Sequence, residues 1–270
     1  MQHLELDRVT LAYQETGMGE PVVFLHEFAG SMENWDEQVN HLTQSYRVIA
    51  YNCRGYPPSS VPSNPAEYSQ DLALQDLRDL LDGLSIKRGV LIGLSMGGST
   101  VLNFTVRYPD RVKGMVLAST GSGSDDKPAF QAQLSEIADL LERNGSAPFA
   151  DLFLRGPTRL QLLKKRPTSW QKLHAWLSAM PAQALAHTIR GVLLKRPAVY
   201  ELEAKLRGLQ VPTLILVGDE DTPVLKSSDF LARALARAYL ISFPQTGHTL
   251  NLEEPGWFNA AVREFLEGLT

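Results

Sequence analysis

The sequence predicts an α/β protein: an open, mostly parallel sheet flanked by helices, with a helical cap inserted into the second half of the chain. Three observations carry this. Short apolar runs recur at residues 22–25, 48–51, 90–92, 112–117 and 214–217, with the length and unbroken hydrophobicity of strands buried on both faces. Amphipathic stretches alternate with them. Residues 121–207 then break the alternation and hold no convincing strand.

At the N-terminus, Leu4 to Leu6 and residues 9–13, ahead of Gly17 and Gly19, read as two short antiparallel strands ending in a turn, so the sheet is expected to be mixed at one edge. The runs at 22–25 and 48–51 supply the first parallel strands. Leu77, Leu80, Leu81 and Leu84 recur at three- and four-residue spacing, which lays one apolar stripe against a sheet. The strand at 90–92 leads into a helix whose apolar positions are Val101, Phe104 and Tyr108. After 112–117 the small-residue stretch Ser119-Thr120-Gly121-Ser122-Gly123-Ser124 opens the helical part. Pro128, Asn144-Gly145, Gly156-Pro157, Pro167, Pro181 and Pro197 punctuate it as helix starts and stops. Residues 121–207 are thus read as a cap inserted into a core of 1–120 and 208–270. Alternation resumes at Val211-Pro212-Thr213. A docking helix from Pro255, with Trp257, Phe258, Ala261, Val262, Phe265, Leu266 and Leu269 on a broad apolar face, closes the chain.

Composition excludes several function classes. Lys plus Arg number 26 against 30 Asp plus Glu, a net −4, and no basic patch interleaved with aromatics offers a footprint for nucleic acid. Apolar residues at 44% and charged at 21% are ordinary for a globular domain of 270 residues, which is long enough to bury a full core without staples. Glu5 and Asp7 fall where a signal peptide needs a basic lead and an apolar run. No window reaches the roughly 18 to 20 apolar residues of a membrane span. The lone Cys53 rules out an intrachain disulfide and has no cluster beside it to hold zinc. A cytoplasmic protein without metal or cofactor is expected, a monomer or homodimer acting on a small molecule. Within 121–207, 13 Lys plus Arg face 8 Asp plus Glu; this favours anionic substrates, although solvated helix faces account for it as well.

Gly93-Leu94-Ser95-Met96-Gly97-Gly98 lies between a strand and a helix. A serine in such a sharp turn is strained with its hydroxyl exposed, and the flanking glycines permit chain contacts that any β-carbon would block. Ser95 is therefore the candidate nucleophile; the same residues would also serve as a glycine-rich helix cap. A serine hydroxyl needs a base within hydrogen-bond reach and a carboxylate to fix that base's tautomer. Of six histidines, His248 stands in a strand-end loop, Gln245-Thr246-Gly247-His248-Thr249, where open sheets hold ligands. His3, His41, His174 and His187 read as surface or packing residues. Asp219, Glu220 and Asp221 crowd the end of another strand, either as an acid for the site or as a polar turn.

Taken together, these residues resemble an α/β-hydrolase-fold enzyme of the compact serine-nucleophile type over nearly the whole chain. The matching pieces are Phe24-Leu25-His26 with Phe28-Ala29-Gly30-Ser31, Tyr51-Asn52-Cys53-Arg54-Gly55, Gly93 to Gly98, Val217 to Pro223, and Thr246-Gly247-His248 leading to Asn251-Leu252-Glu253-Glu254-Pro255. The resemblance implies the order Ser95, Asp221, His248 for a triad, with Asp219 as the alternative acid. It also implies an oxyanion hole made by the backbone N–H groups of Phe28 and Met96. Met180, Leu185, Ile189 and Leu193 are candidates for the apolar lining of a substrate pocket. Two departures stand out. Glu27 occupies the position where the family usually has glycine after His26, which puts a carboxylate beside the oxyanion loop; it is expected either to be held away by a cation such as Arg54 or to face substrate. Tyr56-Pro57-Pro58-Ser59 replaces the usual glycine-rich run and stiffens that loop.

The implied function is cofactor-independent hydrolysis of an ester-type bond through an acyl-enzyme. The same machinery would serve a C–C bond hydrolase, lactonase or perhydrolase, and the fold alone would serve a non-catalytic small-molecule receptor.

Overall fold

The computed structural model describes residues 1–269, which fold around an eight-stranded sheet. The strands are β1 (Gln2–Glu5), β2 (Thr10–Thr16), β3 (Pro21–Leu25), β4 (Arg47–Tyr51), β5 (Gly89–Leu94), β6 (Val112–Ala118), β7 (Thr213–Gly218) and β8 (Ala238–Phe243), in the order β1-β2-β4-β3-β5-β6-β7-β8. β1 and β2 pair antiparallel, as do β2 and β4; every pairing from β4 through β8 is parallel. The sheet is mixed at one edge, as the opening residues predict.

The helices that frame the first half are α1 (Asp36–Leu42), α2 (Gln70–Gly83) and α3 (Met96–Arg107). Between β6 and β7 come α4 (Lys127–Asn144), α5 (Ser146–Phe153), α6 (Leu160–Lys165), α7 (Pro167–Ala179), α8 (Ala182–Thr188) and α9 (Glu203–Gly208). The last three are α10 (Leu225–Ala234), α11 (Leu250–Glu253) and α12 (Pro255–Glu267).

Successive strand residues point to opposite faces, and the two faces have different partners. Val23, Leu25, Ile49, Leu91, Met115 and Ile215 pack with the leucine stripe of α2 and with α3 and α10. Val22, Phe24, Val48, Ile92 and Leu216 pack with Trp35, with Val39 and Leu42 of α1, and with Phe258, Val262 and Leu266 of α12. Coverage on both faces explains why β5 and β7 are buried at every residue. β8, at the edge, leaves Tyr239 and Ile241 exposed.

A third apolar cluster joins α4, α5, α7 and α8 to Phe28, Tyr56 and Met96, which follow the carboxyl ends of β3, β4 and β5. This helical layer therefore lies over the strand ends. Val199, Leu202 and Leu206 pack instead with the sheet-side cluster. No helix among the described residues is long and apolar enough to cross a membrane.

Candidate active site

Ser95 is the single residue between β5 and α3, with φ 54° and ψ −107°. Such a conformation costs a non-glycine residue about 1–3 kcal/mol and persists only where surroundings enforce it. Here the Ser95 N–H donates to the Ala118 carbonyl of β6 (2.8 Å), and its own carbonyl accepts from Ser99 N–H (2.9 Å). A β-carbon on Gly93 would come within 2.3 Å of the Gly97 backbone, and one on Gly97 within 2.2 Å of the Leu25 carbonyl. Only glycine lets the strand, the turn and the neighbouring strand approach this closely. The Ser95 hydroxyl makes no hydrogen bond to the described residues, and the residue is 8% exposed.

His248 follows β8 and precedes α11. Its Nδ1 lies 2.7 Å from Asp221 Oδ2. Asp221 is wholly buried, and its Oδ1 has no partner among the described residues, so the imidazole is the main group answering this carboxylate. Asp219, the other candidate acid, does not reach the ring; its carboxylate accepts from Thr246 N–H (3.2 Å) and braces the histidine loop. The same loop is held by Glu253, which accepts from the N–H groups of Gly247 (2.6 Å) and Thr249 (3.0 Å) and from the Thr249 hydroxyl (2.8 Å). Burial pushes the Glu253 carboxyl up, and these hydrogen bonds oppose that shift. Glu253 stands in a stretch that sequence reasoning matched without giving the residue a role. Finally, the His248 N–H donates to the Thr158 carbonyl (2.7 Å), tying the loop to the helical layer. The remaining histidines lie elsewhere: His174 pairs with Asp151, His187 with Gln183 and the Tyr68 ring, and His41 with Arg263.

The loop after β3 carries a second constraint. His26 is buried, and burial lowers its pKa to about 4, so the ring is neutral at neutral pH. Its Nε2 accepts from Cys53 N–H (3.0 Å), which assigns the proton to Nδ1, and that proton is donated to the Glu27 carbonyl (2.7 Å). Gly30 N–H donates to the same carbonyl. Because the peptide is planar and trans, fixing the Glu27 carbonyl on this side aims the Phe28 N–H the opposite way. Neither the Phe28 nor the Met96 N–H donates to an acceptor among the described residues. Met96 is moreover the first residue of α3, where the helix dipole favours negative charge.

His26 makes stability depend on pH in a defined direction. Its folded pKa lies below the ordinary 6.5, so the unfolded chain takes up the proton first, and stability present above pH 6.5 is lost as pH falls toward 4. The loss at pH 4.5 is expected to be about 2 to 3 kcal/mol. Urea unfolding at pH 7 and 4.5 checks this: His26→Asn should show a smaller drop between the two pH values than the unaltered chain.

Glu27 is 3% exposed, and its partner is Arg159, not Arg54. Both carboxylate oxygens accept from the guanidinium, Oε1 from Nη1 (3.1 Å) and Oε2 from Nη2 (2.5 Å). Arg159 ends the short 3-10 turn Pro157–Arg159 of the helical layer, is 4% exposed and sits over the Phe153 ring (4.2 Å). Arg54 is committed elsewhere, in a two-pronged pair with Asp76 (2.6 Å). Glu27 Oε2 also lies 3.8 Å from His248 Nε2, the ring nitrogen opposite Asp221. Sequence reasoning missed Arg159, which is 132 residues from its partner and has no local pattern to mark it.

Beside Met96 lies a cavity of about 30 Å³, lined by Cys53, Tyr56, Tyr68, Met96, Thr188 and Val192 among others. Met180, Leu185, Ile189 and Leu193 do not line it; they are buried in the cluster that holds Phe28 and Met96. Burial pushes the Cys53 thiol up to about 12, so at neutral pH it is an unreactive thiol. The described residues contain no group of three or more His, Cys, Asp and Glu arranged to hold a metal.

The sequence from residue 20 to 255 matches the alpha/beta hydrolase fold family. The chain belongs to this family. Among its relatives, 3-oxoadipate enol-lactonase 2 of Acinetobacter baylyi is 26% identical over 96% of this chain and 94% of that protein. The 2-hydroxymuconate semialdehyde hydrolase of a Pseudomonas species is 28% identical over 93% of this chain and 88% of that protein. A thermophilic esterase from Thermogutta terrifontis superposes with a TM-score of 0.88 at 27% identity, covering 100% of this chain and 99% of that one. This α/β hydrolase thus shares its fold and its enzymatic family with an esterase, a lactonase and a hydrolase of a semialdehyde.

Proposed function

We propose that this α/β hydrolase cleaves an ester-type bond of a small molecule without a cofactor. The observation that carries the reading is the meeting of His248 with the buried Asp221 at 2.7 Å, at the same carboxyl end of the sheet as a serine held at φ 54°. Ser95 attacks the carbonyl carbon as His248 takes its proton. Asp221 holds the imidazole in the required tautomer and stabilises the imidazolium. The N–H groups of Phe28 and Met96, which have no acceptor among the described residues, receive the developing oxyanion. Collapse expels the alcohol, which takes its proton from His248, and water then releases the acid from Ser95. Lactone opening is the same reaction on a cyclic ester, and the likeness to an enol-lactonase supports including it.

Glu27 fits this scheme because Arg159 neutralises it. An unpaired carboxylate beside the Phe28 amide would oppose the oxyanion; the two-pronged ion pair leaves the loop with no net charge.

The cavity beside Met96 is the proposed acyl pocket. Its volume of about 30 Å³ is two to three times the roughly 10–15 Å³ that one water occupies on the same measure, room for a group of a few heavy atoms, so short acyl groups are favoured. Hydrolysis of p-nitrophenyl esters graded in chain length tests this. The two- to four-carbon esters should be turned over with kcat/KM at least tenfold above the eight-carbon ester. No hydrolysis of any ester would contradict the function, and a long-chain preference would contradict the pocket.

A further inference from the structure

Three arginines among the described residues are almost fully buried. Arg54 has Asp76 and Arg159 has Glu27, but Arg196, 7% exposed, has no carboxylate partner among the described residues. A buried cation without a counter-charge is costly, and native structures usually pair it. Burial lowers its pKa to about 10, which still leaves it charged at neutral pH.

Its surroundings form a built site. Nη1 donates to Ser99 Oγ (3.1 Å), and Nη2 donates to the carbonyl and hydroxyl of Ser122 (2.8 and 3.0 Å). The guanidinium faces the Phe130 ring (5.6 Å). These contacts use part of the five-donor fork, and Nε makes no hydrogen bond among the described residues. Beside it opens a small cleft lined by Ser122, Ser124, Lys127, Gln131 and Arg196, with Lys127 also engaged to Glu201. The enclosed part is about 10 Å³, near the minimum for one water and so for one carboxylate oxygen, with the rest of the group in the open mouth.

Its position relates it to Ser95. Ser99 lies one turn along α3 from Ser95, about 6 Å by helical rise. Ser122 follows β6, whose Ala118 pairs in register with Leu94 at the end of β5. Arg196 thus bridges the first turn of α3, which Ser95 precedes, and the loop after β6, beside the carboxyl end of β5, where open α/β sheets hold ligands.

We infer that Arg196 binds a carboxylate at the far end of the substrate, so that the ester cleaved at Ser95 is an anionic one. This deepens the proposed function and rests on it for the word ester; the anion site itself does not require turnover.

Calorimetry on Ser95→Ala, which leaves the surroundings of Arg196 unaltered, compares succinate with its neutral counterpart succinamide. Succinate should bind at least tenfold more tightly, and Arg196→Gln in that background should abolish the difference. Succinate should also inhibit p-nitrophenyl acetate hydrolysis by the unaltered enzyme competitively. Equal binding of succinate and succinamide, or inhibition that is not competitive, overturns the assignment. Should no ester be hydrolysed while succinate still binds selectively, the ester reading fails and the anion site stands.

Discussion

Ser95→Ala is expected to lower turnover of an activated ester by about six orders of magnitude, because a nucleophile, its base and the base's carboxylate act as a unit. His248→Ala should cost nearly as much, and the double variant no more than either single one. KM should change little, since the hydroxyl contributes bond formation and not ground-state binding. The fold should survive: Ser95 spends about 1–3 kcal/mol on its backbone conformation with serine or alanine alike, and the hydroxyl has no hydrogen-bond partner among the described residues to lose. Rates measured on each purified variant, with circular dichroism to confirm folding, check the expectation. Additive losses in the double variant would mean that the two residues do not share a step.

Arg159→Met is the second large effect. It leaves the Glu27 carboxylate 3% exposed with its two-pronged partner gone, and breaking one side of a buried pair costs about 3–5 kcal/mol. Activity should fall as well. Taking about 6 Å between an uncompensated carboxylate and the oxyanion, at an effective dielectric of about 20, the repulsion is about 3 kcal/mol, or about a hundredfold in kcat. Replacing both residues, Glu27→Gln with Arg159→Met, removes the stranded charge and should recover most of the stability and part of the rate. Urea melts and kcat on the two variants measure this. If Arg159→Met unfolds at the same denaturant concentration as the unaltered chain, the pair does not hold the helical layer to the β3 loop.

The difference between what sequence reveals and what it hides is visible in this pair. Parallel strands buried on both faces announce themselves as continuous apolar runs, and β3 through β7 fall on such runs. Ser95 is legible because its strain is local: glycines at 93 and 97 are demanded by contacts within a few residues and one neighbouring strand. His248 is legible from its place between an apolar run and the last helix. The partner of Glu27 is not, because 26 Lys and Arg compete for it and the choice is made by how the Pro157–Arg159 turn settles over β3. Arg54, nearest to Glu27 in the motif pattern, is turned instead toward Asp76 of α2. The lining of the cavity beside Met96 is hidden for a related reason. Helical periodicity marks Leu185 and Ile189 as buried, but it does not say that their neighbours Thr188 and Val192 are the ones that face the cavity beside Met96.

The proposed chemistry depends on Ser95 being an activated alcohol. Incubation of the unaltered enzyme with a fluorophosphonate, followed by peptide mass spectrometry, measures that activation without assuming any substrate. One equivalent of phosphonyl adduct on Ser95, formed rapidly and lost in His248→Ala, is the predicted result; an enzyme that stays unlabelled at Ser95, or one labelled equally fast without the imidazole, contradicts it.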